Sequence, residues 1–548
     1  MRRIAALSLS FAFWLAPLRA QDKTLDVVHR IKMEAFDHSK VMDHLSYLTD
    51  VYGPRLTGSP EFHQAADWAM SQLKEYGIAN VHPEKWGPFG RSWSVQNYTL
   101  EMITPRYSHL VAAPLAWSAP TNGIQSGDVL FAPMREGKFG DINKNKKDFD
   151  EYKAQWRGKL RGKIVLISEA KTPKPSEKPL FRRYTDAELA NISKAPEPAV
   201  HRNIPIDEIK VPTDEEEASK YFESLPNVVV DQMIGQYFAL VDEQGRFFHD
   251  EGVVGVIRAD RRAHNGLIFA ERAGSQKAED AMAPPTFVVT EEQYSRMTRL
   301  VEKKQPVSVR MNLQAKISDT NVDGMDIVGE IPGQAKRDQV VMVGAHFDSW
   351  HSGTGATDNG AGSAVMIEVM RVLKVLNLKL DRTVRIGLWD GEEQGLCGSK
   401  AYVNAHFADP KTMQAKPEHA KLDAYLNLDN GSGKIRGIYL QGNDAARPLF
   451  EKWMGPFRDL GVTTTSLKNT GGTDHLSFDD VGLPGFQFIE DPLDYGTVTH
   501  HSDMDTYSHA IPEDLMQASA VIATLVYDIA NNDEEMPRKP LPSAPGAK

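Results

Sequence analysis

The sequence contains a single cysteine, Cys397, among its 548 residues. One thiol cannot form an internal disulfide, so the fold must rest on its hydrophobic core, and a chain of this length can bury a large one. The sequence also has no internal repeat, no glycine-rich nucleotide-binding loop and no H-E-x-x-H zinc motif. These absences argue against a repeat protein, a nucleotide-dependent enzyme and a zinc protease built on one helix.

Positive charge is scarce as well, with 63 Lys and Arg against 74 Asp and Glu, a formal net charge of −11. An acidic chain repels phosphate groups, which argues against nucleic acid as a partner and against stable membrane association. The apolar run Ile4–Ala16 is short for a membrane span, and it is preceded by Arg2 and Arg3 and followed by Ala20. This pattern is typical of a secretion signal, so we predict a signal peptide over residues 1–20 and a secreted or periplasmic protein.

What the sequence does contain is an ordered set of metal-binding side chains between residues 346 and 501. Two imidazoles and three carboxylates suit zinc, which accepts nitrogen and oxygen ligands. Five ligands are too many for one structural zinc that also keeps an open position, and they are the right number for two Zn²⁺ ions that share a carboxylate. The predicted ligands are His346, Asp358, Glu393, Asp429 and His501.

Most of these residues follow short apolar runs that are typical of buried parallel strands. His346 follows 339–343, Glu393 follows 383–388, Asp429 ends the run 424–428, and His501 comes after 485–489. The first two runs are separated by 361–376, where apolar residues recur with helical spacing. Open α/β sheets place their sites just beyond strand ends, so this order predicts one shared site.

Taken together, these motifs resemble the M28-type zinc exopeptidases. The resemblance covers 320–530 well and rests on H-x-D at His346–Asp348, D-N-G-A-G at Asp358–Gly362, the pair Glu392–Glu393, N-x-D ending at Asp429, and H-S-x-x-D-T at His501–Thr506. It implies an α/β fold with a mixed, mostly parallel sheet flanked by helices and an inserted β-rich protease-associated domain. The segment Asp348–Trp350 is similar to the plasma glutamate carboxypeptidase branch of these enzymes.

The resemblance also implies a role for each residue. Asp358 would bridge the two metals, His346 and Asp429 would complete one metal site, and Glu393 and His501 would complete the other. Two further residues would be catalytic without binding metal. Glu392 would act as general base on a metal-bridged hydroxide nucleophile, and Asp348 would accept the second N–H of His346.

The assignment of His501 as a metal ligand has an alternative, because His500 directly precedes it. The H-S-x-x-D-T register favours His501 as the ligand.

The resemblance divides the chain into five parts. They are a signal peptide over 1–20, a first part of the catalytic domain over 21–124, the protease-associated insertion over 125–315, a second part of the catalytic domain over 316–533, and a Pro-rich tail over 534–548. We expect the insertion to cover the site and shape access to it, without supplying catalytic groups. Peptides are the expected substrates, and association into a homodimer is left open.

Four functions fit the pattern in different degrees. The favoured one is a secreted dizinc exopeptidase that removes the N-terminal residue of peptides, because carboxylates such as Asp390 and Asp474 lie near the site and can hold a cationic amine. A carboxypeptidase or dipeptidase of the plasma glutamate carboxypeptidase type is the alternative. A receptor-like protein without metal fits less well, since all five ligands and Glu392 are present. A glutaminyl cyclase, with one zinc and no inserted domain, fits less well because of the expected insertion.

Overall fold

The computed structural model describes residues 15–542 apart from 136, 138, 172–178, 197, 199–208, 213–220, 222–224, 226 and 321, without the side chains of 15–24 and 227. Residues 1–14 of the predicted signal peptide, most of the loop-rich stretch 171–224 and residues 543–548 of the predicted tail therefore lie outside the described residues. The helix Leu15–Asp37 runs across the predicted end of the signal peptide at Ala20. In the described part of the chain, no helix combines the length and the apolar character that crossing a membrane requires.

The described helices and strands alternate along most of the chain. The α-helices are Leu15–Asp37, Val41–Ser46, Pro60–Glu75, Ile142–Trp156, Asp186–Ser193, Asn227–Asp250, Glu291–Glu302, Ala361–Val375, Cys397–His406, Arg447–Trp453, His475–Asp479 and Pro512–Asn531. The strands are β1 Ala79–Trp86, β2 Ser92–Thr104, β3 Ser108–His109, β4 Ala112–Pro114, β5 Gln125–Phe131, β6 Ile164–Leu166, β7 Gly255–Arg258, β8 Thr286–Val289, β9 Ser308–Ser318, β10 Gly324–Ile331, β11 Lys336–His346, β12 Arg382–Trp389, β13 Ala408–Asp409, β14 Gln414–Ala415, β15 Leu422–Asn427, β16 Ile435–Tyr439, β17 Thr464–Ser466 and β18 Gly485–Glu490.

The first large sheet has the strand order β1-β10-β12-β11-β15-β18-β16-β17. Its four central strands, β12, β11, β15 and β18, are parallel, while β10 and β16 pair antiparallel to them on either side. All four strands predicted around the metal residues are present at the predicted positions. The predicted fold class, a mixed and mostly parallel sheet flanked by helices, is confirmed.

Both faces of this sheet are buried, which explains why its strands read as continuous apolar runs in the sequence. Val341 and Val343 of β11 point to one face and pack with the helices Ala361–Val375 and Pro512–Asn531, while Met342 points to the other and packs with Cys397–His406. The helix Pro60–Glu75 begins as predicted at Ser59, whose side chain accepts a hydrogen bond from the backbone of Phe62 at 3.1 Å.

A second sheet of eight strands has the order β3-β2-β9-β5-β6-β7-β8-β4. Its strands β5 to β8 are parallel, and apolar side chains on its two faces contact helices: Val165 and Val256 on one side, Ile164 and Ile257 on the other. We call residues 92–318 the inserted region, because β2 and β9 at its two ends pair with each other. The sheet thus begins before residue 125, where the sequence placed the boundary. The reason is that β2 pairs with β9 and β4 pairs with β8, and both partners lie far ahead in the sequence.

Candidate metal centre

The five predicted ligands come together at the carboxyl edge of the first sheet. His346 is the last residue of β11, Asp429 follows β15 by two residues, and Glu393 lies in the turn after β12. Asp358 lies three residues before the start of the helix Ala361–Val375, and His501 lies in the loop after β18. Parallel strands end at the same edge, so residues far apart in the sequence meet there.

Asp358 lies between the two imidazoles, with one carboxylate oxygen facing each. Its Oδ1 is 3.2 Å from Nε2 of His346, and its Oδ2 is 3.4 Å from Nε2 of His501. Asp429 Oδ1 lies 3.4 Å from Nε2 of His346, and Glu393 Oε2 lies 3.0 Å from Nε2 of His501. The side chains therefore form two groups that share one carboxylate.

The polar atoms at the centre of this cluster fit a divalent cation. Nε2 of His346, Oδ2 of Asp358 and Oε1 of Glu393 are buried and make no hydrogen bond within the described structure. Buried polar atoms without a partner are costly, and these atoms all carry lone pairs that a cation would accept. Burial and the neighbouring carboxylate of Asp358 raise the pKa of Glu393 to about 8, which reflects how much negative charge is concentrated here. The nitrogen and oxygen donor set is one that zinc accepts.

Glu392 adjoins this cluster without being one of its five members. Its side chain is half-buried, while that of Glu393 is buried. Burial raises the pKa of Glu392 well above its usual value; His346 opposes this shift, and the carboxyls of Asp429 and Asp474 add to it. A carboxyl group that takes up a proton readily is suited to general acid–base catalysis.

Asp348 holds the turn that carries the two glutamates. Its carboxylate accepts hydrogen bonds from the backbone N–H groups of Glu392 at 3.1 Å and Glu393 at 3.4 Å, and from the Thr57 hydroxyl at 3.0 Å. The sequence predicts that the Asp348 carboxylate accepts the second N–H of His346, and the structure places the Asp348 backbone carbonyl nearer to that nitrogen. Nδ1 of His346 lies 3.0 Å from the backbone carbonyl of Asp348 and 3.6 Å from its carboxylate, because the carboxylate is turned toward the glutamate loop.

His500 is also close to the cluster, as its position beside His501 suggested. Its Nε2 is 4.0 Å from Oδ2 of Asp358, and its ring lies 3.9 Å from that of His501. The pKa of His500 falls to about 3, chiefly through burial and then through the charge of His501. The distances favour His501, which is nearer to Asp358 and also contacts Glu393.

Two residues that support this centre were missed from the sequence. The Asp505 carboxylate accepts hydrogen bonds from the backbone N–H groups of Thr357 at 2.6 Å and Asp358 at 3.2 Å, and so fixes the backbone of the shared ligand. Arg55 is fully buried beneath the loop 347–355 and donates four hydrogen bonds to backbone carbonyls at 2.7–3.0 Å. Asp505 lies in the motif H-S-x-x-D-T, which was the available signal, and Arg55 lies in the turn-rich segment GPRLTGS at residues 53–59.

The third missed residue comes from the inserted region. Glu271 Oε1 lies 2.9 Å from Nδ1 of His501, on the side of the ring away from Asp358. Nothing in the local sequence around Glu271 marks it, because the contact depends on how the inserted region packs against the loop after β18. The inserted region was expected to cover the site without supplying catalytic groups, and Glu271 is a contact that it makes with a predicted metal ligand.

Comparison with known proteins gives this architecture a family. The model of peptidase family M28 matches residues 326–526. Carboxypeptidase Q from Homo sapiens is 30% identical over 499 residues, covering 90% of this chain and 86% of that protein.

Solved structures give the same picture of the fold. The peptidase M28 precursor from Shewanella amazonensis SB2B has a TM-score of 0.63 at 23% identity and covers 95% of this chain and 99% of its own. BSAP, a zinc aminopeptidase from Bacillus subtilis, has a TM-score of 0.54 at 20% identity and covers 90% of this chain and 95% of its own. With a relative 30% identical across most of both chains and a family match over the strands that carry the site, this chain belongs to peptidase family M28, a family of zinc metallo-exopeptidases.

Proposed function

We propose that this protein is a dizinc exopeptidase that acts on short peptides. The observation that carries the proposal is the position of Asp358, whose two carboxylate oxygens face two separate imidazoles at 3.2 and 3.4 Å. A pair of zinc ions held there would polarise the scissile carbonyl and lower the pKa of a water molecule between them. One zinc would be held by His346, Asp429 and Asp358, and the other by His501, Glu393 and Asp358.

The chain's own contribution to the reaction centres on Glu392. Its carboxylate would accept a proton from the attacking water and return that proton to the leaving amine. Asp348 supports this role through its bond to the Glu392 backbone, which fixes the side chain's starting point. The same carboxylate also accepts from the Glu393 backbone, so one group orients both the base and a metal ligand.

Two observations support release of the residue at the C-terminal end of the peptide. A cavity of about 340 Å³ in the inserted region is lined by Arg258, Arg261 and Arg262 and has Glu271, the partner of His501, in its wall. The guanidinium of Arg258 makes no hydrogen bond or ion pair with the described residues, so it can receive a free carboxylate. The relative that spans 90% of this chain is named carboxypeptidase Q. We therefore propose release of the C-terminal residue, which reverses the preference drawn from the sequence alone.

Release of the N-terminal residue is the second candidate, and the charge beside the metal residues favours it. Glu392 is a half-buried carboxylate there, and the guanidinium of Arg55, which is buried beneath the loop 347–355, already donates to backbone carbonyls. The carboxylates on which the sequence argument relied are less suited to bind an amine. Asp474 is fully buried and Asp390 accepts a hydrogen bond from the backbone of Met325.

A set of three peptides distinguishes these two candidates: a free tripeptide, its N-acetyl form and its C-terminal amide, with products identified by mass. The proposal predicts that the acetylated peptide loses its C-terminal residue and that the amide is resistant. Loss of the N-terminal residue from the amide, with the acetylated peptide intact, would establish the second candidate instead.

The contribution of Arg258 is tested by a variant. Arg258→Met should raise KM for the free peptide by about ten- to a hundredfold, since a charge-assisted hydrogen bond is worth roughly 1.5–3 kcal/mol. Arg299→Met removes the same charge from an exposed position on the helix Glu291–Glu302 and serves as the matched control. Equal KM values in the two variants would remove Arg258 from the substrate site.

A further inference from the structure

His501 makes polar contacts on both sides of its ring, and the two sides belong to different parts of the chain. Nε2 faces Asp358 and Glu393 of the metal centre, at 3.4 and 3.0 Å. Nδ1 faces Oε1 of Glu271, from the inserted region, at 2.9 Å. An imidazole that donates its Nδ1 proton to a carboxylate keeps the Nε2 lone pair free for a cation, so the contact with Glu271 selects the tautomer that can bind metal.

Glu271 is itself held in place by a charged partner. Nη2 of Arg262 donates to Oε1 of Glu271 at 3.0 Å, and Nε of Arg262 donates to Asp260 at 3.0 Å. The guanidinium also lies over the ring of Phe269, 4.4 Å from its centroid. Because Asp260 and Phe269 hold the guanidinium of Arg262, the carboxylate of Glu271 has a fixed position relative to the His501 ring.

The backbones of the two segments are joined as well. The Ala270 N–H donates to the His501 carbonyl at 3.2 Å, and Asp503 accepts from the Ile268 N–H at 3.0 Å through its side chain. The φ angle of His501 is 62°, in the left-handed region that is unfavourable for a residue with a Cβ atom. The paired segment of the inserted region therefore supports a backbone conformation that His501 adopts at a cost.

The other imidazole of the metal centre has no such dependence on the inserted region. Nδ1 of His346 lies 3.0 Å from the carbonyl of Asp348, two residues along its own loop. The two halves of the centre thus differ: the ring of His346 is oriented locally, and the ring of His501 is oriented by a residue that lies 230 positions earlier in the sequence.

We propose that Glu271 is a positioning residue for the metal ligand His501. The zinc affinity of the half-site formed by His501, Glu393 and Asp358 then depends on the inserted region. The zinc affinity of the half-site formed by His346, Asp429 and Asp358 does not. This inference rests on the proposed dizinc function. It makes the inserted region a component of the metal centre as well as a lining for the substrate cavity.

The test is a zinc titration of the metal-free full-length protein against a chromophoric chelator, which resolves two binding steps. Glu271→Ala should weaken one step by about 10- to 100-fold, the usual effect of removing the partner of a metal-bound histidine, and leave the other within about threefold. Glu271→Gln keeps an acceptor oxygen and should restore part of the loss. Glu302→Ala removes an exposed carboxylate of the inserted region and should leave both steps unchanged.

The outcomes separate the inference from the function on which it rests. The parent protein could show two zinc-binding steps, and Glu271→Ala could bind zinc with the same affinity at both. That result would overturn the positioning role and leave the dizinc function in place. A parent protein that binds fewer than two zinc ions would contradict the proposed function itself. Equal weakening of both steps in Glu271→Ala, without rescue by Glu271→Gln, would mean that Glu271 stabilises the fold as a whole, and that result also overturns the proposal.

Discussion

Replacement of Arg55 tests how the chain supports the metal centre from beneath. Its guanidinium donates to the carbonyls of Phe347 and Leu48 at 2.7 and 2.9 Å, and to those of Thr354 and Gly355 at 3.0 and 2.9 Å. Three of these carbonyls belong to the loop that connects His346 to Asp358. Arg55→Met removes the four donors and keeps a side chain of similar length.

The magnitude follows from the acceptors left behind. The Gly355 carbonyl keeps a hydrogen bond from the Gly360 N–H, so it loses little. Each of the other three carbonyls loses a charged donor, at roughly 1–3 kcal/mol for a buried group left unpaired. Removing a buried charge relieves part of this, because burial disfavours the charged form and lowers the pKa of Arg55 to about 10. We therefore expect a net loss of about 3–5 kcal/mol in the free energy of unfolding.

Urea unfolding of the metal-free protein measures this loss, with Arg337→Met as control because the Arg337 side chain is exposed. Zinc binding should weaken in Arg55→Met as well, since the loop between two ligands loses its anchor. The free energy of unfolding of Arg55→Lys should lie between those of Arg55→Met and the Arg337→Met control, because an ammonium reaches fewer of the carbonyls. A destabilisation below about 1 kcal/mol together with normal zinc affinity would show that the loop does not depend on Arg55.

Three further predictions concern the centre and its neighbourhood. Glu392→Gln should keep both metals and lower turnover by about 10²–10⁴-fold, whereas Glu393→Gln should lose metal; the opposite pattern, read by metal analysis and kinetics, would exchange their roles. His501→Ala should weaken zinc binding far more than His500→Ala, and the reverse order in a titration would refute the assignment. Burial lowers the pKa of His44 to about 4, so an unfolded chain binds a proton there between about pH 6.5 and 4 and the native chain does not. Stability should therefore fall as pH decreases through that window, by up to about 3 kcal/mol, and His44→Phe should lack this component in parallel urea titrations.

The strands and helix around the metal centre were predictable from the sequence because their signals are local. The predicted run 339–343 lies within β11, and the predicted helix 361–376 matches Ala361–Val375 within one residue. Both faces of the sheet are buried, so apolar residues continue through each strand and mark its position. The polar residues that follow these apolar runs are therefore easy to identify, and the motifs give their order along the chain.

The contributions of the inserted region were not predictable, because they depend on contacts across long stretches of sequence. Glu271 reaches His501 only through the packing of two loops, and Arg258 lines a cavity whose other walls come from the helices Ile142–Trp156 and Asn227–Asp250 and from loops. The boundary at residue 125 missed β2, since that strand pairs with β9 some 200 residues later. Contacts of this kind form only in the folded chain, and they leave no periodic pattern of residue types in a single sequence.

The most direct test of the central claim is the number of zinc ions bound per folded chain, measured by native mass spectrometry alongside peptide hydrolysis. The shared carboxylate of Asp358 predicts two zinc ions at saturation, loss of activity with a chelator, and recovery when zinc is returned. A chain that saturates at one zinc would match the glutaminyl cyclase alternative, and one that binds none would match the receptor-like alternative. Full hydrolytic activity with one zinc or with none would contradict the dizinc account.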